Sequence, residues 1–358
     1  MTKKLIKSPV SKPVRLVDIA VEAGVSRSAV ANVLLNSAGK NVRVGEMTAK
    51  RIKSVASRMG YYPNAAAQRL AGKQTKIIGV VIDSYAPMPR FRQLSEVERA
   101  ADEHGYRVMI GQSHGEIEKI ESYAADFVAN RVDGVICISH HYPDVGERIV
   151  EVFKQIPNVV YLGQPLADSK DTYWVAVDHR RAMRGLVDHF VQRGRRHIAL
   201  CLPDQIYQDS RIRRTSYEES LRAHGIEPSD DLLLDCEDVV WDWENPAMHE
   251  SLTACLRDML ARTPVDALLA INDLMAMHLV RSLRELGKRI PDDVAVAGYD
   301  NLAMTNVTIP SITTVDLCDY ELARKGFDTL LALIEQRKVT KAQRHQWVEP
   351  KLIVRESG

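Results

Sequence analysis

Apolar side chains near the start of the chain recur at helical spacing. Leu16, Ile19, Ala20 and Ala23 line one face and stop at Gly24-Val25, which predicts a short helix closed by glycine. Ser26 is placed to cap a second helix that turns Val30, Val33 and Leu34 inward. A third helix is expected from Thr48, with Ile52, Val55 and Met59 on one face and Gly60 ending it. Helix, tight turn and helix make a helix-turn-helix. Its second helix leaves Arg27, Ser28, Ala31 and Asn32 outward, short or hydrogen-bonding side chains of the kind that lie in a DNA major groove.

From Ile77 the period changes. The runs IIGVVID, YRVMIG, DGVICIS, NVVYLG, HIALCL, LLLD, ALLAIND and VAVAGYD are continuous, bounded by turns and separated by amphipathic stretches. That pattern predicts parallel strands covered by helices on both faces, a doubly wound α/β architecture. Residues 77–358 are too many for one such sheet, and the pattern divides near Val175 to Asp178, so two lobes with a cleft between them are expected.

Between head and body lies PNAAAQRLAGKQT, Pro63 to Thr75, which reads as a two-turn helix with Asn64 as N-cap and Gly72 past its end. Its one large apolar side chain is Leu70, and a helix so short is marginal in water. Something outside the segment must order it.

Composition is that of a soluble globular protein, with 45% apolar and 27% charged residues among 358. No apolar run approaches a membrane span, and the basic start MTKKLIKSPVSKPV lacks the apolar core of a secretory signal, so a cytoplasmic location is expected. Cys137, Cys201, Cys236, Cys255 and Cys318 are scattered, odd in number and never in a CxxC pair, and are read as reduced core residues rather than disulfide or zinc ligands. The net charge of +1 conceals a division. Residues 1–76 hold 15 Lys and Arg against 3 Asp and Glu, a balance of +12, which leaves 33 against 44, or −11, for residues 77–358. A small basic head on a large acidic body predicts that the head alone meets a polyanion.

Catalytic constellations are not found: there is no GxGxxG after the first strand, no GKS/T loop, no GxSxG elbow and no HExxH. His140, His141 and Asp144 cluster at a strand end, more in the manner of a solvated loop than a metal site. The expectation is a non-enzyme with neither cofactor nor metal. Binding chemistry is better represented. In open sheets ligands sit beyond the carboxyl ends of strands, where Asn272-Asp273 ends ALLAIND and Asp300-Asn301 ends VAVAGYDN. Arg211 follows HIALCLP at a helix start, and Trp243 in WDWEN offers a flat apolar face for a sugar ring. Asp273 is the residue expected to cap the helix that follows it.

The run VRLVDIAVEAGVSRSAVANVLLN, then GYYPNAAAQRLAGKQTKIIGVV, resembles the N-terminal region of the LacI/GalR family of bacterial transcriptional regulators. DGVI at 133, SRIRR at 210, INDLMA at 271, GYDN at 298, SITTV at 311 and a closing LIVRES extend the likeness from residue 14 onward. The resemblance implies a flexible basic N-terminus over 1–13, a helix-turn-helix domain over 14–62, a hinge helix and linker over 63–76, and an effector-binding and dimerisation body over 77–358. It also implies that the chain crosses between lobes three times. The first lobe would span about 77–176 and 318–345, and the second about 177–317 and 346–358.

On this resemblance the hinge helix folds in the minor groove beside its copy from a second subunit, with Leu70 as the wedge that kinks the duplex. Ala66 and Ala67 allow close approach, while Asn64, Arg69 and Lys73 lie near phosphates. Ser26, Arg27, Ser28, Ala29 and Asn32 carry DNA contacts from the head. The recognition helix departs from the family's usual Thr-Val-Ser, reading Ala29-Val30-Ala31-Asn32, and the longer loop NSAGKNVRVGEMT brings Lys40 and Arg43 as replacement phosphate contacts. Effector-contacting positions transfer to Arg211, Asn272 and Asp300, with Trp243 as a stacking aromatic and Phe91 and Gln93 from the first lobe.

A homodimer on a near-palindromic operator follows from the resemblance. A dimer is favoured over a tetramer because no leucine-heptad tail follows LIVRESG. The expected function is a sequence-specific regulator, most often a repressor, controlled by a small molecule, a sugar or sugar derivative in the commonest case and a nucleobase in others. Release and promotion of DNA binding by that molecule are equally compatible. The competing reading is a cytoplasmic solute-binding or sugar-processing protein with an incidental basic head.

Overall fold

The computed structural model describes residues 14–35, 44–61, 74–83, 88–138, 146–163, 171–202, 208–234 and 246–358. The chain divides into two compact units, Met1–Thr75 and Lys76–Gly358.

The first unit is built on α1 (Leu16–Ala23), α2 (Arg27–Leu35) and α3 (Glu46–Arg58). α1 ends where expected because Gly24 takes a left-handed φ of 60° and its N–H reaches back to the Ala20 and Val21 carbonyls. Ser26 Oγ accepts from the Ala29 N–H at 3.2 Å, which caps α2. α3 starts at Glu46, two residues ahead of the expected Thr48, with Gly45 as its N-cap. Ile19, Val30 and Ile52 are fully buried, one from each helix, and Ala20, Ala23, Val55 and Ala56 complete the core.

The second unit contains two parallel sheets. In the first lobe β1 (Ile77–Ile82), β2 (Arg107–Gln112), β3 (Gly134–Cys137), β4 (Val159–Leu162), β5 (Tyr173–Val177) and β11 (His345–Val348) lie in the order β11-β5-β4-β3-β1-β2. The second lobe holds β6 (Ile198–Cys201), β7 (Leu233–Leu234), β8 (Ala267–Ala270) and β9 (Ala295–Ala297) in the order β7-β6-β8-β9. Every pairing within these two sheets is parallel. β1, β3, β6 and β8 are buried almost throughout, as continuous apolar runs require when helices cover both faces.

Two strands escape the apolar pattern. β5 falls where the sequence divides the lobes, yet it pairs inside the first sheet. β11 is an edge strand of which only Val348 is fully buried, and because it runs to Val348 the return to the second lobe begins later than 346. β10 (Thr314–Asp316) and β12 (Lys351–Ile353) form a separate antiparallel pair, and Thr313 just before β10 bridges to Ala297 at the end of β9. Past β12, Ser357 is buried and bonds to Val296 and Thr313 of the second lobe.

Helices position the cleft. α4 (Met88–Glu103) and α11 (Asp319–Ile334) pack together on the first lobe, and α7 (His179–Gln192) packs with α8 (Gln208–Ala223) on the second. The far face of the second sheet is covered by α9 (Pro246–Arg262) and α10 (Asp273–Glu285), and that of the first by α5 (Ile117–Asn130) and α6 (Gly146–Val152). Cys137 and Cys201 are buried, Cys255 is partly buried against the second lobe's core, and Cys318, the N-cap of α11, is partly buried; Cys236 lies outside the described residues. Among the described residues no helix is long and apolar enough to cross a membrane.

Candidate functional site

Two surfaces carry the expected chemistry. In the head, Arg27 and Ser28 stand exposed on the first turn of α2, Ser26 is exposed beside them, and Ala29, Ala31 and Asn32 are half-buried. α2 therefore presents its amino-terminal turn outward while Val30 anchors it. Lys40, Arg43, Asn64, Ala67, Leu70 and Lys73 lie outside the described residues, as do Trp243, His140, His141 and Asp144.

In the body, the cavity between the lobes is lined by Arg90 and Gln93 from α4, His179 and Arg180 from α7, and Asp209 and Arg213 from α8. Asp300, Asp178 and Trp347 join them, with Leu317 and Leu322 as apolar lining. Asp300 is 6% exposed. Burial, the nearby Asp273 and Asp319 push its pKa well up, and Arg213 opposes them. Its backbone takes a φ of 118°, a strained value of the kind that clusters at functional sites.

Arg213 Nη1 donates to the Ile271 carbonyl at 2.8 Å, and its guanidinium lies 4.0 Å over the Tyr299 ring. Its buried Nε has no hydrogen-bond partner among the described residues. His179 Nδ1 pairs with the Tyr299 hydroxyl at 2.8 Å while Nε2 lies 3.5 Å from Asp209. Burial lowers the His179 pKa, which keeps the imidazole neutral and available for hydrogen bonding.

First-lobe arginines cross the cleft. Arg92 donates to the carbonyls of Asp300 and Asn301 at 2.9 Å each, and Arg90 lies 3.7 Å from Asp209. Gln93 is buried, donating to Asp319 at 2.7 Å.

Several sequence-based assignments are corrected. Arg211 is exposed and does not line the cavity; Arg213, two residues along α8, does. A helix turns by about 100° per residue, so the two arginines of SRIR cannot share a face. Asn272 is the N-cap of α10, its Oδ1 accepting from Met275 at 2.7 Å, and it is not among the cavity-lining residues. The capping expected of Asp273 thus falls to its neighbour. Asp273 instead accepts from the Leu302 N–H and the Thr314 hydroxyl, each at 2.6 Å, and pins the loop carrying Asp300. Phe91 is exposed and also absent from the lining. Asp300 and Gln93 both line the cavity. Arg90, Arg92, His179, Asp209 and Trp347 carry no local motif, because each is made significant only by a partner in the other lobe or at a sheet edge.

Residues 15–64 match the description "Bacterial regulatory proteins, lacI family", and residues 187–358 match "Periplasmic binding protein-like domain". CelR of Thermobifida fusca, an HTH-type transcriptional regulator, is 30% identical over 353 residues, covering 95% of this chain and 97% of its own. The repressor PurR of Erwinia tasmaniensis is 29% identical over 345 residues, with 95% of each chain covered. The structure of the lac repressor dimer bound to operator and the anti-inducer ONPF superposes with a TM-score of 0.80 at 26% identity, covering 97% of this chain and 99% of its own. Head, bilobed body and the polar cleft between its lobes occur here in one chain, and that chain belongs to the lacI family of bacterial regulatory proteins.

Proposed function

We propose that the protein is a dimeric, sequence-specific repressor of transcription whose affinity for a near-palindromic operator is set by a carbohydrate or sugar derivative in the cleft. The observation that carries this reading is the joining of a lacI-family head to a two-lobed body whose cleft gathers Arg213, Asp300 and His179. Asp300 accepts from and Arg213 donates to vicinal hydroxyls, and the Trp347 face at the rim supplies apolar area for a ring. The relatives bear repressor and regulator names, and the lac repressor structure holds both operator and a ligand. Such a regulator works in the cytoplasm, where its DNA is.

On the DNA side, Ser26, Arg27, Ser28, Ala29 and Asn32 meet the major groove, and Asn64, Ala67, Leu70 and Lys73 the minor groove, with Lys40 and Arg43 on phosphates. Effector binding changes how the lobes close and so how two heads are presented to two half-sites. Selection of duplexes from a random pool by the full chain tests the reading. A two-fold symmetric site bound at least about 10³ times more tightly than bulk DNA is expected. Failure to enrich any duplex would refute the proposal.

A further inference from the structure

Beside the cleft runs a groove lined by Arg180, Arg181 and Arg184 of α7 together with Asp178, Asp188 and Trp347. Asp178, Arg180 and Trp347 line the cleft as well, so the two spaces share a wall. We propose that this groove is an annex of the effector site, and that it takes an anionic group, a phosphate or carboxylate, carried by the effector itself. The inference rests on the reading of the cleft as an effector site and narrows the effector to a charged sugar derivative.

The charges in the groove do not balance within the protein. Asp178 is occupied as the N-cap of α7, accepting from the Arg181 N–H at 3.1 Å. Asp188 is held by His224 Nε2 at 2.6 Å. Arg181 is paired with Glu349. Arg180 and Arg184 are left exposed with no ion pair among the described residues. Four residues apart, they lie on one face of the helix.

Arg180 also stands in the first turn of α7, where the helix dipole is positive, and Arg184 follows one turn later. Guanidinium groups match the planar, bidentate geometry of phosphate and carboxylate oxygens.

Trp347 completes the site. It is 48% exposed, yet fixed edge-on against Trp174 at 5.0 Å between centroids and 71° between planes. A rigid apolar face at the junction of the two spaces is placed to hold a ring while its hydroxyls reach Asp300 and its charged substituent reaches the arginines.

The test is thermal unfolding of the full chain and of R180Q, R184Q and the double variant, all exposed positions, with inorganic phosphate against chloride at equal ionic strength. Saturable phosphate stabilisation of the wild type is expected, weakened by roughly tenfold or more in affinity in each single variant and lost in the double. A second arm compares neutral hexoses with their 6-phosphates and their uronic and aldonic acids. A charged member that binds more tightly than both its neutral parent and free phosphate, and loses that advantage in the double variant, assigns the annex to the effector. Absence of phosphate-specific stabilisation, or its survival in the double variant, overturns the annex. Equal binding of neutral and charged members overturns the effector class. Operator selection by ligand-free wild type reports separately on the regulatory reading, so the two failures are distinguishable.

Discussion

At Gly298 an added Cβ would lie 2.2 Å from Asp273 Oδ1 and 3.1 Å from Ala276 Cβ, so only glycine lets the Asp300 loop close over α10. Gly298→Ala should destabilise the body by about 2–3 kcal/mol, read as a lower urea midpoint at unchanged slope, and should weaken effector binding by displacing Asp300. The carboxylate it crowds has its own signature. Burial raises the Asp273 pKa from 3.8 to about 6, against the hydrogen bonds from Thr314 and Leu302. A raised acid pKa means that the folded state binds more protons than the unfolded one between those values. The contribution is therefore fully present below pH about 4 and is lost as pH rises through about 6, amounting to about 1–3 kcal/mol. Asp300 and Asp319 shift in the same direction through burial and steepen the fall. Denaturant midpoints across pH 4–7 should show that slope, reduced in Asp273→Asn; a slope identical to wild type would contradict the assignment. Asp300 was legible from its place at a strand end, because that position points at the cleft whatever else surrounds it. Arg213 was not, since choosing between two arginines two residues apart requires the helix phase that only packing fixes.

Among elements, the head is the most exposed to single substitutions because its core is so small. Ile52→Ala removes a fully buried side chain that α1 and α2 share, at about 2–5 kcal/mol, which exceeds what a three-helix unit of this size can spare. DNA binding should vanish while effector-dependent stabilisation of the body persists, since the two units have separate cores. Loss of both together would show that they unfold as one. Leu70, outside the described residues, is argued from sequence: Leu70→Ala should abolish operator bending and cost about 1–3 kcal/mol of specific affinity while sparing non-specific binding. Gel mobility of circularly permuted operator fragments measures the bend, and equal loss on both kinds of DNA would sink the wedge role. The strands that sequence reading found, such as β1, β6 and β8, are those buried on both faces, where burial forces an unbroken apolar run. β11 reads HQWV with one fully buried residue, because an edge strand has water on one side and needs no such run.

Across the whole molecule, closure of the cleft is held by contacts that neither lobe could make alone. Arg92 reaches from α4 to two consecutive carbonyls, Asp300 and Asn301, whose φ values of 118° and 48° turn both oxygens toward one guanidinium. Opening the lobes therefore leaves these two carbonyls of the second lobe without their cation, while the Asp319 carboxylate, 3.7 Å from the same guanidinium on the first lobe, stays with it. Partly exposed charge-assisted bonds of this kind contribute about 1–3 kcal/mol, enough to move a closed-to-open ratio by roughly 5- to 150-fold. Arg92→Ala should therefore open the ligand-free body, measured as an increased radius of gyration in small-angle scattering, and should weaken the effector by a similar factor. Because ligand and operator share one conformational equilibrium, the same variant should change operator affinity in the direction opposite to the effect of a ligand that closes the lobes. Unchanged scattering with an unchanged operator constant would mean that the Arg92 contacts form in both states, and that Arg90 and Asp209, 3.7 Å apart across the cleft, carry the closure instead.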